Sequence, residues 1–551
     1  MNAGEKSTPW TFDRRMFAVA GLVVAGLFGY HLYQFWEYSV DDAFITLRYA
    51  RNVVHGYGLV YNPGGPRVEG YSNPLLLLFQ CIVMFCGGDA LLWTKGLGAA
   101  AGYAMLAGSV AIAFDLLRWA DEKAARLSRV VAAAGAFAIG DSAPLATGCV
   151  SGLETSLFAA LATWGTWGLL RVLQRERERV ATIVGGVCVG LSTWTRPEGI
   201  LLAAAVAGLA VLIAGLRRRP MGGAVIVAAI SLGLWLALEA FRLVVFGDFQ
   251  PNTYYAKMCG EAFPRLVGGA RYLQAWTVGG CGYLLLIPAA VGGLLALPAM
   301  RVPALSLLAI ALLFLGIAAY EGGDWIPWFR FITPALGVLG GAASVGLGLV
   351  AARLAGRRSW GFSLIATVVF CILAHVAVRA DFVRAIGEVQ TRVLGWYDGH
   401  RALGQWLGAW RMMRGGELRV ALADIGMVGW YSGAHVEDFY GLVDRDWARE
   451  SFRTKGKARY PTRHLLLEKK PEVIVLIATE RPHRGKLRIP WRPDRDVFHD
   501  PEFARRYRHR TVFVHKDFPR DGYYLHVFLR RDVYDEAPPV EPPIPRATAG
   551  W

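Results

Sequence analysis

Cysteine is scarce, with seven residues in 551, mostly inside apolar runs between Cys81 and Cys371 and none beyond. That usage excludes a disulfide framework and a cysteine-rich metal site. No internal repeat is visible, and no glycine-rich phosphate-binding loop follows a strand within the apolar part, so no nucleotide-binding module is indicated. The first apolar run, Met16 to about Trp36, has no small-residue cleavage site, and it reads as a retained span instead of a signal peptide. A net charge of +16 could point to nucleic acid. Most of the excess, however, lies in short loops beside apolar runs, where Lys and Arg mark the cytoplasmic side, so nucleic acid is not an expected partner.

What is present is apolar surface. The chain is 54% hydrophobic with a positive mean hydropathy, which places it among membrane proteins, and its 551 residues are too many for a single domain. Apolar runs at 16–36, 90–117, 130–147, 155–173, 180–194, 199–216, 222–246, 279–299, 302–320, 331–354 and 359–379 predict about eleven spans. The run 74–88 is short and is interrupted by Gly87, Gly88 and Asp89. If it does not cross, Arg118, Lys123, Arg126, Arg129, Arg175, Arg177, Arg179, Arg217, Arg218, Arg219, Arg357 and Arg358 all fall on one side. One more crossing would reverse them, so 74–88 is expected to be interfacial or re-entrant. The prediction is a multi-pass protein of the inner (plasma) membrane with a cytoplasmic N-terminus.

Residues 381–551 are polar and alternate helical and strand-like stretches. Leu418–Ala423, Glu472–Ile477, Thr511–His515 and Tyr523–Leu529 read as strands and Arg463–Glu468 as a short helix. The expected architecture is therefore a polytopic α-helical membrane domain over 1–380, including a first external loop at 37–73. An extracytoplasmic α/β domain follows over 381–551, with a proline-rich tail from Ala537.

In this topology the informative polar strings all lie outside. Asp41 and Asp42 follow the first span and, on a helix, point about 100° apart. They serve either as a general base for a hydroxyl nucleophile with its neighbour binding acceptor or cation, or as an N-cap for a helix beginning near Ala43. Arg196, Lys257 and Arg330 sit just past span ends. A cation there can meet a lipid phosphate, or snorkel to headgroups. Glu154, Glu198 and Asp324 could orient those cations, hold sugar hydroxyls, or join Asp41 or Asp42 around a divalent cation, although no spacing is metal-specific. Tyr254, Tyr255 and Trp325 could stack on a sugar ring or belong to the interfacial aromatic belt, as could Trp328. Glu239 and Arg242, three apart within a span, suggest an internal ion pair.

Together these strings resemble a known family. Asp41 to Asn73, reading DDAFITLRYARNVVHGYGLVYNPGGPRVEGYSN, is similar to the first external loop of the GT-C glycosyltransferases that use polyprenyl-phosphate sugars. The likeness extends to the terminal arabinofuranosyltransferases of mycobacterial cell walls and their relatives. SGLET, TRPEG, PNTYYAK, GGDW with a following RF, DIGMVGWYSG and DFYGLVD follow in the same order, so the resemblance covers about Val40 to Asp444. It implies a membrane-level cavity opening outward, a C-terminal domain capping it, and transfer of a sugar from a polyprenyl-phosphate donor to a hydroxyl of a glycan or glycoconjugate acceptor. A pentofuranose such as arabinofuranose is the implied sugar.

The resemblance puts Asp41 or Asp42 at the reacting centre, with Asp41 expected to be the more sensitive. It gives donor-phosphate binding to Arg196, Lys257 or Arg330. Glu69, Glu154, Glu198, Asn252, Tyr254, Tyr255, Asp324, Trp325 and Asp424 are the candidate substrate contacts. Asp424 follows a strand and could bind acceptor glycan or simply end that strand. Two readings from other classes stand beside this one. A transporter or flippase for a lipid-linked substrate would favour repeated halves and charges near the bilayer midplane. A non-catalytic envelope or motility assembly factor could use the same fold.

Overall fold

A computed structural model describes residues 9–120, 122–174, 178–216, 222–296, 298–324, 326, 328–355, 359–479, 488–515 and 523–540. The chain divides into two compact units, each assembled from separate stretches of sequence. One comprises Met1–Glu37, Thr94–Phe241 and Ala262–Ile386; the other comprises Tyr38–Trp93, Arg242–Glu261 and Gly387–Trp551. Residues 38–93 and the Pro251–Lys257 string thus group with the C-terminal residues.

The protein is a multi-pass membrane protein. Seven helices among the described residues are long and apolar enough to cross a bilayer: Arg15–Gln34, Ala90–Leu117, Thr155–Gln174, Gly222–Val245, Met300–Tyr320, Arg330–Leu354 and Leu364–Met413. Two bent pairs, Val130–Gly140 with Ala143–Val150 (65°) and Ala262–Val278 with Tyr283–Leu295 (90°), raise the number to as many as nine. The sequence-based count of eleven differs for identifiable reasons. The run at 180–194 forms Arg179–Thr195, a helix of 17 residues, and the run at 279–299 forms Tyr283–Leu295, of 13 residues. The run at 130–147 is broken where Asp141 and Ser142 separate two helices. Pro144 lies in the first turn of the second of them, where its missing N–H has no intrahelical partner to lose. Pro74–Phe85 is a helix of 12 residues.

Small residues let the apolar helices of the first unit touch backbone to backbone. A Cβ on Gly135 would lie 1.9 Å from the Gly340 carbonyl oxygen, one on Gly346 would lie 1.8 Å from that of Pro288, and one on Gly168 would lie 2.4 Å from the Gly185 Cα.

In the second unit a five-stranded sheet carries β1 (Arg419–Leu422), β2 (His435–Asp438), β3 (Val473–Ala478), β4 (Tyr507–His515) and β5 (Tyr523–Arg530), in the order β2-β1-β3-β5-β4. β1 runs parallel to β2 and β3, whereas β5 is antiparallel to β3 and β4. Every residue of β3, VIVLIA, is buried, as a central strand covered on both faces requires. Ile474 and Leu476 of this strand share a core with Phe439, Trp447, Leu466 and Phe503. β2 goes beyond the four strands that the sequence predicts, because HVED has no apolar alternation to announce it. The short helix expected at Arg463–Glu468 is a π-helical segment at His464–Lys469.

Helix Asp41–Val54 packs on helix Ile425–Ser432 and on Pro74–Phe85. Arg48, 1% exposed, fastens this arrangement. Its guanidinium donates to the carbonyls of Tyr61 (2.8 Å), Gly429 (2.6 Å) and Ala434 (2.7 Å) and to Asn62 Oδ1 (3.0 Å). A buried charge satisfied this fully by neutral acceptors is costly to break, because truncation would leave those carbonyls unpaired.

Candidate functional site

The second unit gathers Asp41, Asp42, Lys257 and Asp424. Val40, not an aspartate, occupies the N-cap of helix Asp41–Val54, and no side chain caps that end. The two acids stand in its first turn and diverge. Asp41 is buried and acts on a different helix: its Oδ2 accepts from Gly426 N at 2.9 Å and its Oδ1 from Met427 N at 2.6 Å, at the start of Ile425–Ser432. The expected N-cap of its own helix is therefore not formed by Asp41, which instead accepts amides of a helix 385 residues away in sequence. Gly426 permits it, since a Cβ there would lie 1.9 Å from the Asp41 carbonyl oxygen. Burial pushes the Asp41 carboxyl up to about 7, helped by the Asp424 and Asp42 charges and opposed by His400 and the Met427 amide.

Asp42 points elsewhere. Its side chain is 20% exposed, and its Oδ2 lies 3.4 Å from Lys257 Nζ. Lys257 ends the short helix Asn252–Lys257, and its side chain is 47% exposed.

Asp424 holds the N-cap position of Ile425–Ser432 yet makes no side-chain cap bond. Its Oδ2 accepts instead from His400 Nε2 at 2.8 Å and from the Tyr523 hydroxyl. His400 is fully buried in the π-helical segment Trp396–Arg401, a wide turn that recurs at functional sites. Neither His400 nor Tyr523 belongs to a recognisable motif, and sequence reasoning missed both.

Other candidates in this unit are tied into its framework. Glu69 is buried and pairs with Arg242, whose Nε lies 3.1 Å from Oε2; Arg242 thus reaches a partner outside its own helix, beyond the Glu239 that sequence suggested. Asn252 donates to the Gly441 and Leu442 carbonyls at 2.8 and 3.0 Å. Tyr254 and Tyr255 pack on Phe452, with ring centroids 5.8 and 5.4 Å away.

The first unit holds a second charged cluster. Arg196, between helices Arg179–Thr195 and Gly199–Leu216, pairs with Glu198 (2.7 Å), Glu154 (3.4 Å) and Glu321 (3.9 Å). The rings of Phe331 and Phe158 lie 5.1 and 5.9 Å from its guanidinium carbon. Burial opposes ionisation of Glu198, but the Arg196 charge outweighs it and holds that carboxyl below its ordinary value. Glu321 goes the other way, raised by burial and then by the Glu198 charge. The Arg196 charge thus favours the ionised form of Glu198, while Glu321 is pushed toward its neutral form.

Arg330 is buried against Asp324 at 2.6 Å, after Trp328 and Phe329 adopt φ of 69° and 58°. Left-handed backbone at two successive bulky residues is strained and persists only where neighbours enforce it. Trp325 lies outside the described residues. Arg196, Arg330 and Lys257 thus all have carboxylate partners, but the two guanidinium groups are largely buried, whereas the Lys257 ammonium is exposed. Among the described residues no group of three or more His, Cys, Asp or Glu converges in a way that could hold a metal ion.

Residues 384–529, which include His400, Asp424 and Tyr523, match the family described as Domain of unknown function (DUF8728). The terminal beta-(1->2)-arabinofuranosyltransferase of Mycobacterium tuberculosis is 27% identical over 238 residues, 42% of this chain and 37% of that protein. Its namesake from Corynebacterium glutamicum is 25% identical over 261 residues, 44% of this chain and 36% of that one. The matched stretch thus spans little over a third of these relatives' length.

Among solved structures, ArnT from Cupriavidus metallidurans bound to undecaprenyl phosphate superimposes with a TM-score of 0.53 at 14% identity, covering 97% of this chain and 100% of that one. The oligosaccharyltransferase AglB from Archaeoglobus fulgidus, in complex with an inhibitory peptide and a dolichol-phosphate, gives 0.53 at 12% identity, covering 84% and 69%. The chain has the GT-C fold of these enzymes and is similar in sequence to terminal arabinofuranosyltransferases, in agreement with the resemblance carried by its motifs.

Proposed function

We propose that this chain transfers a sugar from a polyprenyl-phosphate donor to a hydroxyl of an envelope glycan or glycoconjugate, on the outer face of the inner membrane. A pentofuranose such as arabinofuranose is the sugar that the similarity to terminal arabinofuranosyltransferases favours. The observation that carries the reading is the pair formed by Asp42 and Lys257, a partly exposed carboxylate beside an exposed ammonium. Transfer from a lipid phosphate needs a base for the acceptor hydroxyl and a positive charge for the departing phosphate.

Each group then has a task. The acceptor oxygen bonds to the anomeric carbon as its proton passes to Asp42. The bond from that carbon to the phosphate oxygen breaks, its electron pair leaving with the lipid phosphate. Lys257 stabilises the charge that grows there. At rest the two side chains neutralise one another; an arriving phosphate draws Lys257 to itself and leaves Asp42 free to take the acceptor proton. Asp41 acts through its neighbour, pinning the first turn of the helix to Gly426 and Met427. The Arg196 cluster, its charge already matched by carboxylates, is a framework element of the first unit in this reading.

The test is transfer of label from a radiolabelled polyprenyl-phosphate arabinofuranose to a synthetic arabinofuranoside by the purified protein in lipid. Turnover by the parent and its loss in Asp42→Asn support the reading. An inactive parent, with this donor and with other polyprenyl-phosphate sugars, removes it.

A further inference from the structure

An aspartate at an N-cap ordinarily folds back to accept an amide of its own helix. Asp424 has that position and does not do so, because Asp41 already accepts from Gly426 N and Met427 N. Its carboxylate is thereby released from local duty and held by groups from two other elements. His400 reaches it from the π-helical segment Trp396–Arg401 and Tyr523 from the first position of β5, and both donate to the same oxygen, Oδ2. The other oxygen, Oδ1, has no hydrogen bond among the described residues, and the side chain is 24% exposed.

This is costly to build for stability alone. A fully buried imidazole and a buried tyrosine are desolvated and fixed in order to aim a carboxylate whose second oxygen stays open. His400 Nε2 and the Tyr523 hydroxyl are both directed at Oδ2, which leaves Oδ1 as the oxygen open to a ligand. As a carboxylate oxygen Oδ1 accepts, so what it takes must donate, as a hydroxyl does. A phosphate is disfavoured at Oδ1, because an ionised phosphate offers acceptors where this oxygen needs a donor.

We propose that Asp424 Oδ1 holds a hydroxyl of the acceptor sugar next to the one that attacks, and that His400 and Tyr523 are positioning residues that aim it. This rests on the glycosyl-transfer reading given above and adds which carboxylate selects the acceptor. A fixed charged acceptor rejects a ligand lacking its hydroxyl because the site is then left unpaired. It affects the donor little.

The experiment measures acceptor KM, kcat and donor-only hydrolysis with labelled polyprenyl-phosphate arabinofuranose, a synthetic arabinofuranoside and its monodeoxy analogues. Tyr523→Phe removes one hydroxyl and keeps the ring. It and Asp424→Asn should raise acceptor KM roughly ten- to hundredfold, the worth of one hydrogen bond to a charged group, with kcat and donor hydrolysis within about threefold of the parent. One monodeoxy acceptor should be as poor with the parent as the full acceptor is with Asp424→Asn, and Asp424→Asn should no longer distinguish the two. His400→Gln, which keeps a donor near the Nε2 position, should retain more acceptor affinity than His400→Leu; if both His400 variants fail to fold, Tyr523→Phe decides. Unchanged acceptor KM in Tyr523→Phe and Asp424→Asn, with an active parent, overturns the inference alone. A loss of kcat at constant KM also overturns it, placing Asp424 at the chemistry instead. A parent without transfer activity removes this inference and the reading beneath it together.

Discussion

Asp41 accepts the two amide hydrogens, those of Gly426 and Met427, that Asp424 stands in position to accept and does not. One carboxylate from the start of the chain thus does the structural work of another near its end. The division separates two adjacent acids that look equivalent in sequence: Asp41 holds the fold and Asp42 faces outward beside Lys257.

That division predicts opposite phenotypes for two conservative substitutions. Asparagine has one acceptor where Asp41 uses two, so Asp41→Asn turns an amide group toward a backbone N–H and should cost about 1–3 kcal/mol. Asp42→Asn loses only a partly exposed ion pair, worth under about 1 kcal/mol, yet should lower turnover about a hundred- to ten-thousandfold. Thermal unfolding and donor turnover of both purified variants measure this. An Asp41→Asn protein as stable as the parent, or an Asp42→Asn protein with near-parental turnover, would contradict it.

Lys257→Met keeps the length of the side chain and removes its charge. Donor KM should rise about tenfold, and Lys257→Arg should recover part of it, because one charge-assisted contact to phosphate is lost and then partly restored. The rate with saturating donor should also fall, since the phosphate gains charge as it leaves. Donor titrations of the three proteins decide the matter; identical curves would mean that Lys257 only snorkels toward headgroups.

The Arg196 cluster yields a contrast between its acids. Arg196→Met strands three carboxyls in a buried setting and should cost about 3–5 kcal/mol. Glu321, raised by burial and by the Glu198 charge, is the carboxyl pushed toward its neutral form, so Glu321→Gln should be tolerated within about 1 kcal/mol. Glu198, held low by Arg196, is the carboxylate that matches it, and Glu198→Gln should be clearly worse. Equal losses for the two glutamine variants would mean that Glu321 is not the carboxyl pushed toward neutrality.

Much of this was legible in the sequence because it is local. Apolar length announced the long helices, and four of the five strands were visible as short β-rich runs. The order of the short polar strings carried the family likeness. What escaped is long-range. Asp41 meets Gly426 and Met427 across the chain, and no spacing rule connects residues 385 positions apart. His400 lies in a helical continuation with no motif around it, and Tyr523 opens a strand whose apolar pattern speaks only of burial. The cations were legible as charges but not as partners: Arg196, Lys257 and Arg330 look alike beside span ends, and only the structure separates two buried guanidinium groups from one exposed ammonium, each with its own carboxylate.

The sheet of the second unit should carry a measurable pH dependence. Asp494 is buried, its Oδ1 accepts from Ile477 N at 3.0 Å, and its Oδ2 has no hydrogen-bond partner among the described residues. Burial pushes its carboxyl up to about 7, as it does for Asp438. An acid whose folded value lies above its unfolded value of 3.8 binds the proton more tightly when folded. Its contribution to stability is therefore complete below about pH 4 and is lost as pH rises toward 7. Asp494→Asn keeps an acceptor for the Ile477 amide and cannot ionise. Relative to the parent it should gain stability between about pH 4 and 8, by a few kcal/mol at most, since each tenfold difference in proton affinity between the folded and unfolded chain corresponds to about 1.4 kcal/mol. Comparing parent and variant cancels the other titrating groups, including those such as Glu437 that burial raises less than its basic neighbours lower. Denaturant or thermal unfolding of both proteins at several pH values in that window gives the difference directly. A difference that stays constant with pH would show that Asp494 ionises in the folded protein as readily as in the unfolded chain, and that its burial is compensated by a donor or water beside Oδ2.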